Sequence, residues 1–309
     1  MVEDGGQGGR PRSGTVALIG RPNAGKSTLM NRALREKVAI VSDKPQTTRN
    51  RIVGILTEER GQIVFFDTPG IHKPTHRMNR DMVQEARNAL EEAAVVCLLV
   101  DDSEPFGSGD QLLLDLASEA RAPCIVALNK IDRIEKQSLL PWIQRYAERD
   151  AFREIIPISA LTGDGVDLVL GALFTLLPEG PPLYDPDLLT LHPERFLVAE
   201  RIREKVLELT REEIPHSTAV RLDRWEDSEE GPLLRLWASI LVERASQKKI
   251  LVGKGGRMIR EIGTAARLDL QEYLERPVYL DLHVRVEENW RESPRVLDEL
   301  GREARPGGG

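Results

Sequence analysis

The octapeptide GRPNAGKS, residues 20–27, constrains this chain more than any other stretch. It fits GxxxxGK[ST], and it lies between a short apolar run at 16–19 and a helical pattern over 27–35. In that context the glycines let the backbone curl until successive N–H groups face a phosphate. The helix N-terminus adds a positive field. Gly20, Asn23, Ala24, Gly25, Lys26, Ser27 and Thr28 are therefore the expected phosphate-binding residues. Lys26 should reach the β- and γ-phosphates, and the Ser27 hydroxyl should ligate Mg2+.

The surrounding pattern supplies the fold that such a loop needs. Apolar runs at 16–19, 52–57, 62–67, 95–101, 124–129 and 155–158 alternate with helical stretches such as 79–94 and 111–120. Alternation of this kind predicts an α/β domain, a mostly parallel sheet with helices on both faces. The runs at 52–57 and 62–67 are too close for a crossover and should form an antiparallel hairpin around Gly61. Five prolines between 178 and 193 fix φ and remove donors, which reads as a semi-rigid linker. Beyond it the order changes to helix, two strands, helix, GKGG, helix and strand, an α+β pattern. The expected organisation is a flexible leader at 1–13, a nucleotide-binding domain at 14–177, the linker at 178–193, a second domain at 194–300 and a flexible tail at 301–309.

Three further motifs fall in register behind the phosphate loop. Asp67-Thr68-Pro69-Gly70 closes the third apolar run. A carboxylate there can meet the hydration shell of Mg2+, and the Gly70 N–H can meet the γ-phosphate. Asn129-Lys130-Ile131-Asp132 fits NKxD, whose final carboxylate accepts from guanine N1–H and the 2-amino group together. Adenine offers neither donor, so GTP is expected over ATP. Ser159, Ala160 and Leu161 match the loop that backs a guanine ring. Within the polar stretch 38–51, Thr48 is the candidate second protein ligand of Mg2+, with Thr47 beside it as the alternative. Position 71 is isoleucine, which cannot orient an attacking water, and no arginine finger is evident. Slow intrinsic hydrolysis by positioning and electrostatics follows as an expectation.

Charge points to a second ligand. The chain carries a formal net charge of −7, which excludes a uniformly basic nucleic-acid binder. Yet residues 244–260 hold Arg244, Lys248, Lys249, Lys254, Arg257 and Arg260 with no acidic residue. They surround Gly253-Lys254-Gly255-Gly256, a GXXG between two helices, where the absence of Cβ lets a nucleic-acid backbone approach. RNA is the expected ligand. The two cysteines, Cys97 and Cys124, lie in apolar runs and should be buried thiols of a reducing, cytoplasmic compartment. No apolar run is long enough to span a membrane, and the first residues lack the apolar core of a signal peptide.

The stretches GRPNAGKSTL, PQTTRNRIVGI, DTPGIHKP, NKID, PEGPPLY, ERFLVAERIREK, PHSTAV and VERASQKKILVGKGG resemble the Era family of bacterial GTPases. The resemblance runs from residue 15 to about residue 300. It implies a type II KH domain as the second domain, and as partner the 3′ end of 16S ribosomal RNA. It further implies assistance in assembling the small (30S) ribosomal subunit, and loose peripheral association with the inner membrane in some members. By resemblance to GTPases with GxPNxGKS, Asn23 would hold K+ beside the phosphates and so join Lys26, Thr48, Asp67 and Gly70 in catalysis. We expect a monomer with GTP or GDP and Mg2+ as its ligands. The principal alternative is a constitutive RNA-binding module with a mainly structural nucleotide site. A tRNA-modifying or membrane GTPase and a P-loop kinase fit the second domain and NKID less well.

Overall fold

The computed structural model describes residues 10–44, 46–70, 77–101, 106–211, 214, 217–229 and 231–304. They divide into two compact units. The first takes the described parts of Met1–Val38, Arg51–His72 and Val83–Thr190; the second takes Ala39–Asn50, Lys73–Met82 and Leu191–Gly309. The division therefore cuts the chain at more places than the single linker read from sequence.

The elements of the first unit are β1 (Arg12–Gly20), α1 (Lys26–Leu34), β2 (Ile52–Glu58), β3 (Gly61–Asp67), β4 (Val95–Val100), α3 (Ser108–Glu119), β5 (Cys124–Leu128), α4 (Lys136–Ala147), β6 (Phe152–Pro157) and α5 (Val166–Leu176). Helix α2 (Arg77–Glu92) contributes its part from Val83 onward. The sheet order is β2-β3-β1-β4-β5-β6, with only the β2–β3 pair antiparallel. Strands β4 and β5 are buried along their whole length, which is why they read as unbroken apolar runs rather than alternating ones. Gly61 makes the hairpin turn at φ 137, where a Cβ would lie 1.9 Å from the Arg12 carbonyl oxygen.

Neighbours of β1 on its two sides are β3 and β4, so strand order reverses there. In an open α/β sheet the crevice at such a reversal, beyond the carboxyl ends of the strands, is where ligands bind. The segments leaving β1, β3, β4, β5 and β6 are GRPNAGKS, DTPG, Asp101, NKID and SAL.

Two boundaries move relative to the sequence reading. Strand β1 begins at Arg12, inside the stretch assigned to a flexible leader. The Arg12 guanidinium donates to the carbonyls of Thr175 and Leu177 at 2.9 and 2.7 Å. Residues 178–190 lie along the sheet instead of leaving it. Fully buried Gln62 accepts from the Leu183 and Tyr184 N–H groups at 2.8 and 2.9 Å and donates to the Tyr184 carbonyl at 2.9 Å. Ile55 N–H donates to Leu189 O at 2.8 Å, adding a partner to the edge strand. A side-chain amide and an edge backbone thus satisfy a proline-rich segment that cannot form a ladder of its own.

The second unit contains α6 (Glu194–Leu209), β7 (Ala219–Asp227), β8 (Leu234–Val242), α7 (Ala245–Val252), α8 (Arg257–Tyr273), β9 (Val278–Val286) and α9 (Pro294–Glu303). Strands β7 and β8 pair antiparallel, and β8 and β9 pair parallel. A parallel pair needs a crossover, which α7 and α8 provide. Val198, Ile202 and Val206 of α6 and Ile262, Ala266 and Leu270 of α8 bury Leu236, Ala238 and Ile240 of the sheet. On the other face Trp290 and Val296 cover Ala219 and Leu241, together with Met78 and Met82. The α-β-β-α-α-β order is that of a type II KH domain. Helix α9 continues to Glu303, and buried Ala304 lies 2.6 Å through its carbonyl from His192 Nδ1. The expected flexible tail from 301 is thereby corrected: the chain is held as far as Ala304.

Candidate functional site

The phosphate loop is shaped by two left-handed residues, Asn23 at φ 63 and Gly25 at φ 98. A Cβ at Gly25 would meet Asn129 Nδ2 at 2.2 Å, so no side chain fits between the loop and that asparagine. Gly20 is fixed by a second close approach, its Cβ position lying 2.5 Å from Leu99 O. Lys26 opens α1 with its ammonium buried, donating to the carbonyls of Arg21 at 3.0 Å and Gly20 at 3.3 Å. Burial lowers its pKa, and the negative charges of Asp67 and then Asp101 oppose that shift. Ala24 is buried beneath the loop, and Thr28 follows Ser27 into the helix.

Ser27 Oγ donates to Asp67 Oδ2 at 2.5 Å. A hydroxyl and a fully buried carboxylate, joined at a helix N-terminus, form a hard-oxygen donor pair that suits Mg2+ better than a softer metal. Among the described residues no group of three or more His, Cys, Asp or Glu is placed to hold a metal ion. Thr68 Oγ1 donates to Leu18 O at 2.7 Å and ties the DTPG turn to β1. Gly70 passes so close to the phosphate loop that a Cβ would lie 2.5 Å from Pro22 N. The reading of Ile71 lies outside the described residues.

Asn129 braces the site from the base side. Its Nδ2 donates to Ala24 O at 2.7 Å, and its Oδ1 accepts from Ala160 N–H at 2.9 Å. One buried amide thereby fixes the phosphate loop and the SAL loop at a set separation. Ser159 Oγ donates to Asp132 Oδ1 at 2.6 Å and accepts from Thr162 N–H at 3.1 Å. This holds one carboxylate oxygen; the other lies 3.9 Å from Arg133 Nε. Lys130 stands between them at φ 67, paired with Asp101. Leu161 is 61% exposed. Arg32 of α1 donates to the Ala160 and Leu161 carbonyls.

The structure brings together every expected nucleotide residue of the first unit. Thr48 falls in the second unit. Its segment is held there through its backbone: Glu204 Oε1 accepts from Val41 N–H at 2.9 Å, and Arg203 donates to Thr47 O. Arg49 donates to Thr218 O at 2.5 Å and lies 5.6 Å over the Trp290 ring. Sequence reasoning missed Asp101, and it missed the ion pair of Arg21 with Asp110 of α3, which anchors the phosphate loop laterally. Nothing local signals either pairing, because each partner lies far away in the sequence.

In the second unit Gly253, Gly255 and Gly256 all have positive φ, at 71, 61 and 76. Nothing lies within 4 Å of a Cβ built on Gly255 or Gly256. Arg244, Lys248, Lys249, Lys254, Arg257 and Arg260 are all exposed around this turn, and none is paired with a described carboxylate. Other arginines of the unit are neutralised, such as Arg201 with Asp269 and Arg291 with Glu243. Unpaired cations beside a backbone that offers no side-chain obstacle make a surface suited to a phosphodiester chain.

The geometry defines a class: a Mg2+-dependent P-loop GTPase carrying a C-terminal KH domain. Comparison with known proteins agrees. The 50S ribosome-binding GTPase family matches residues 15–130, and the KH domain family matches residues 213–291. GTPase Era of Geobacter metallireducens is 49% identical over 290 residues, covering 94% of this chain and 97% of the relative. GTPase Era of Staphylococcus haemolyticus is 46% identical over the same shares. A variant of Era from Aquifex aeolicus, solved with GDP and aluminium fluoride, superposes with a TM-score of 0.90 at 39% identity, over 94% of this chain and 99% of that one. An Era structure with MgGDPNP and nucleotides 1506–1542 of 16S ribosomal RNA gives 0.91 at 38% identity over the same shares. The chain belongs to the Era family of GTPases.

Proposed function

We propose that this GTPase is a switch that binds the 3′ end of 16S ribosomal RNA and assists maturation of the small ribosomal subunit. The observation that carries the RNA half is the set of six exposed cations, none paired with a described carboxylate, around an unobstructed GXXG turn on a chain of net charge −7. The same length of RNA is bound by the similar solved Era.

On this reading Lys26 neutralises the β- and γ-phosphates while the amides of residues 23–28 cradle them. Ser27 and Asp67 would hold Mg2+, which when bound would neutralise phosphate charge. Gly70 N–H contacts the γ-phosphate, and Asp132 selects guanine, with Ser159, Ala160 and Leu161 backing the ring. Without a glutamine after Gly70, hydrolysis proceeds at a slow intrinsic rate. Asn23, held in the left-handed region beside the phosphates, offers an amide oxygen for K+. Replacing K+ by Na+ is expected to slow turnover several-fold; equal rates in the two salts would remove Asn23 from that role. Its place is the cytoplasm, as a monomer, with any membrane association peripheral; no described helix is long and apolar enough to cross a bilayer.

The deciding experiment titrates a labelled oligonucleotide carrying the 3′ end of 16S RNA, beside a scrambled control. The protein is loaded with GDP or with a non-hydrolysable GTP analogue. Selective and tighter binding in the GTP-like state is expected. Equal affinity in both states would favour the alternative, a constitutive RNA-binding module with a structural nucleotide site. No selectivity in either state would reopen the identity of the RNA.

A further inference from the structure

A carboxylate that none of the nucleotide motifs contains lies inside the base half of the site. Asp101 follows the last residue of β4, and Val100 pairs with Leu128 of β5. Asn129 N–H continues that register by donating to Val100 O at 2.7 Å. Asp101 and the NKID loop therefore leave adjacent parallel strands at the same level.

The Asp101 side chain is 6% exposed and forms an ion pair with Lys130, whose side chain is 23% exposed. Burying a carboxylate this far is unfavourable unless it is paired. Lys130 meets it from a left-handed backbone, φ 67, a conformation unfavourable for a lysine. A residue held at that cost between Asn129 and Asp132 has its direction set for a purpose. The other two polar residues of the motif are committed, Asn129 to the phosphate loop and Asp132 to Ser159. Tying the ammonium to Asp101 stretches the four-carbon stem into a fixed apolar edge beside Asp132, and a purine face can pack on such a stem.

We propose that Asp101 is a positioning residue for guanine binding, acting through Lys130 by fixing the direction of its side chain. The field of Asp101 reaches further, since it also helps hold Lys26 protonated against burial, second after Asp67. The Lys130 route is separable from that one by experiment.

The test uses the full-length protein and a fluorescent GDP. Asp101→Asn removes the charge with almost no change of shape. It is expected to weaken GDP binding about tenfold, less than truncating one partner of a fully buried charge pair, because Lys130 is partly exposed. The loss in GTP turnover should appear in KM rather than in kcat. In a Lys130→Met background, which keeps an apolar stem without the charge, the same substitution should cost less than about twofold. Thermal denaturation of each variant shows whether it is folded. Unchanged GDP affinity in Asp101→Asn would overturn the proposal. So would an equal loss in the Lys130→Met background, which would place the effect on Lys26 or on the fold instead.

Discussion

Replacing Asp132 by asparagine is expected to turn this guanine-nucleotide site into a xanthine-nucleotide site. Ser159 decides the outcome. Its Oγ accepts from Thr162 N–H at 3.1 Å and spends its proton on Asp132 Oδ1 at 2.6 Å. An asparagine at 132 keeps its carbonyl oxygen on that hydroxyl, so its NH2 group faces the base. Guanine presents N1–H and the 2-amino group there, so donors would oppose donors. Xanthine has a carbonyl at position 2 and accepts. Losing two charge-assisted hydrogen bonds and burying opposed donors should weaken GDP binding by on the order of a thousandfold. Affinity for XDP should rise in the same variant. Competition of XDP and GDP against a fluorescent nucleotide reads both changes at once. Retained guanine preference would mean that Asp132 is not the base-reading group. Loss of both nucleotides, with a normal melting curve, would mean that the amide had turned round.

At the RNA surface the largest effect is expected from Gly255→Asp. Position 255 is a clean choice in the turn, as open as Gly256 and unlike Gly253. It sits at φ 61 with nothing within 4 Å of its Cβ position, whereas a Cβ at Gly253 would press on Met258 N and Cβ at 2.9 Å. Aspartate tolerates the left-handed region better than most side chains, so the turn should keep its shape at a cost of about 1 kcal/mol. A negative charge would then stand amid Arg244, Lys248, Lys249, Lys254, Arg257 and Arg260. RNA affinity should fall about a hundredfold near 0.1 M salt, with a shallower dependence of log K on log salt as phosphate contacts are lost. GTP hydrolysis without RNA should persist, because the substitution lies in the second unit. Binding as tight as in the unaltered protein would remove the GXXG turn from the RNA interface.

What could be read from the sequence followed from how local its cause is. Strands β1, β3, β4 and β5 and the loops after β1, β3 and β5 were legible because buried parallel strands are continuous apolar runs, and the motifs sit at the ends of those three. The turn at Gly253–Gly256 was legible for a similar reason, since its glycines lie between two helical periods. Groups whose role comes from a distant partner were not. Gln62 reads as one polar residue in a strand; only the fold brings Tyr184 to it. Asp101 ends an apolar run, and its partner Lys130 lies in the loop after β5. Arg12 looked like part of a glycine-rich leader, yet it pairs with residues more than 160 positions away. The attachment of residues 39–50 to α6 runs through backbone atoms of the segment, which carry no sequence signal at all.

The two native thiols also matter for how the molecule can be handled. Cys97 and Cys124 are buried on adjacent strands β4 and β5, and burial raises both above the ordinary thiol range, Cys124 to about 12. At neutral pH neither forms the thiolate that attacks maleimides or iodoacetamide. Chemically, the folded protein behaves as though it had no cysteine. A single cysteine placed at an exposed site such as Ser246 would be its one reactive handle, and dyes could be attached beside the GXXG turn without altering the native core.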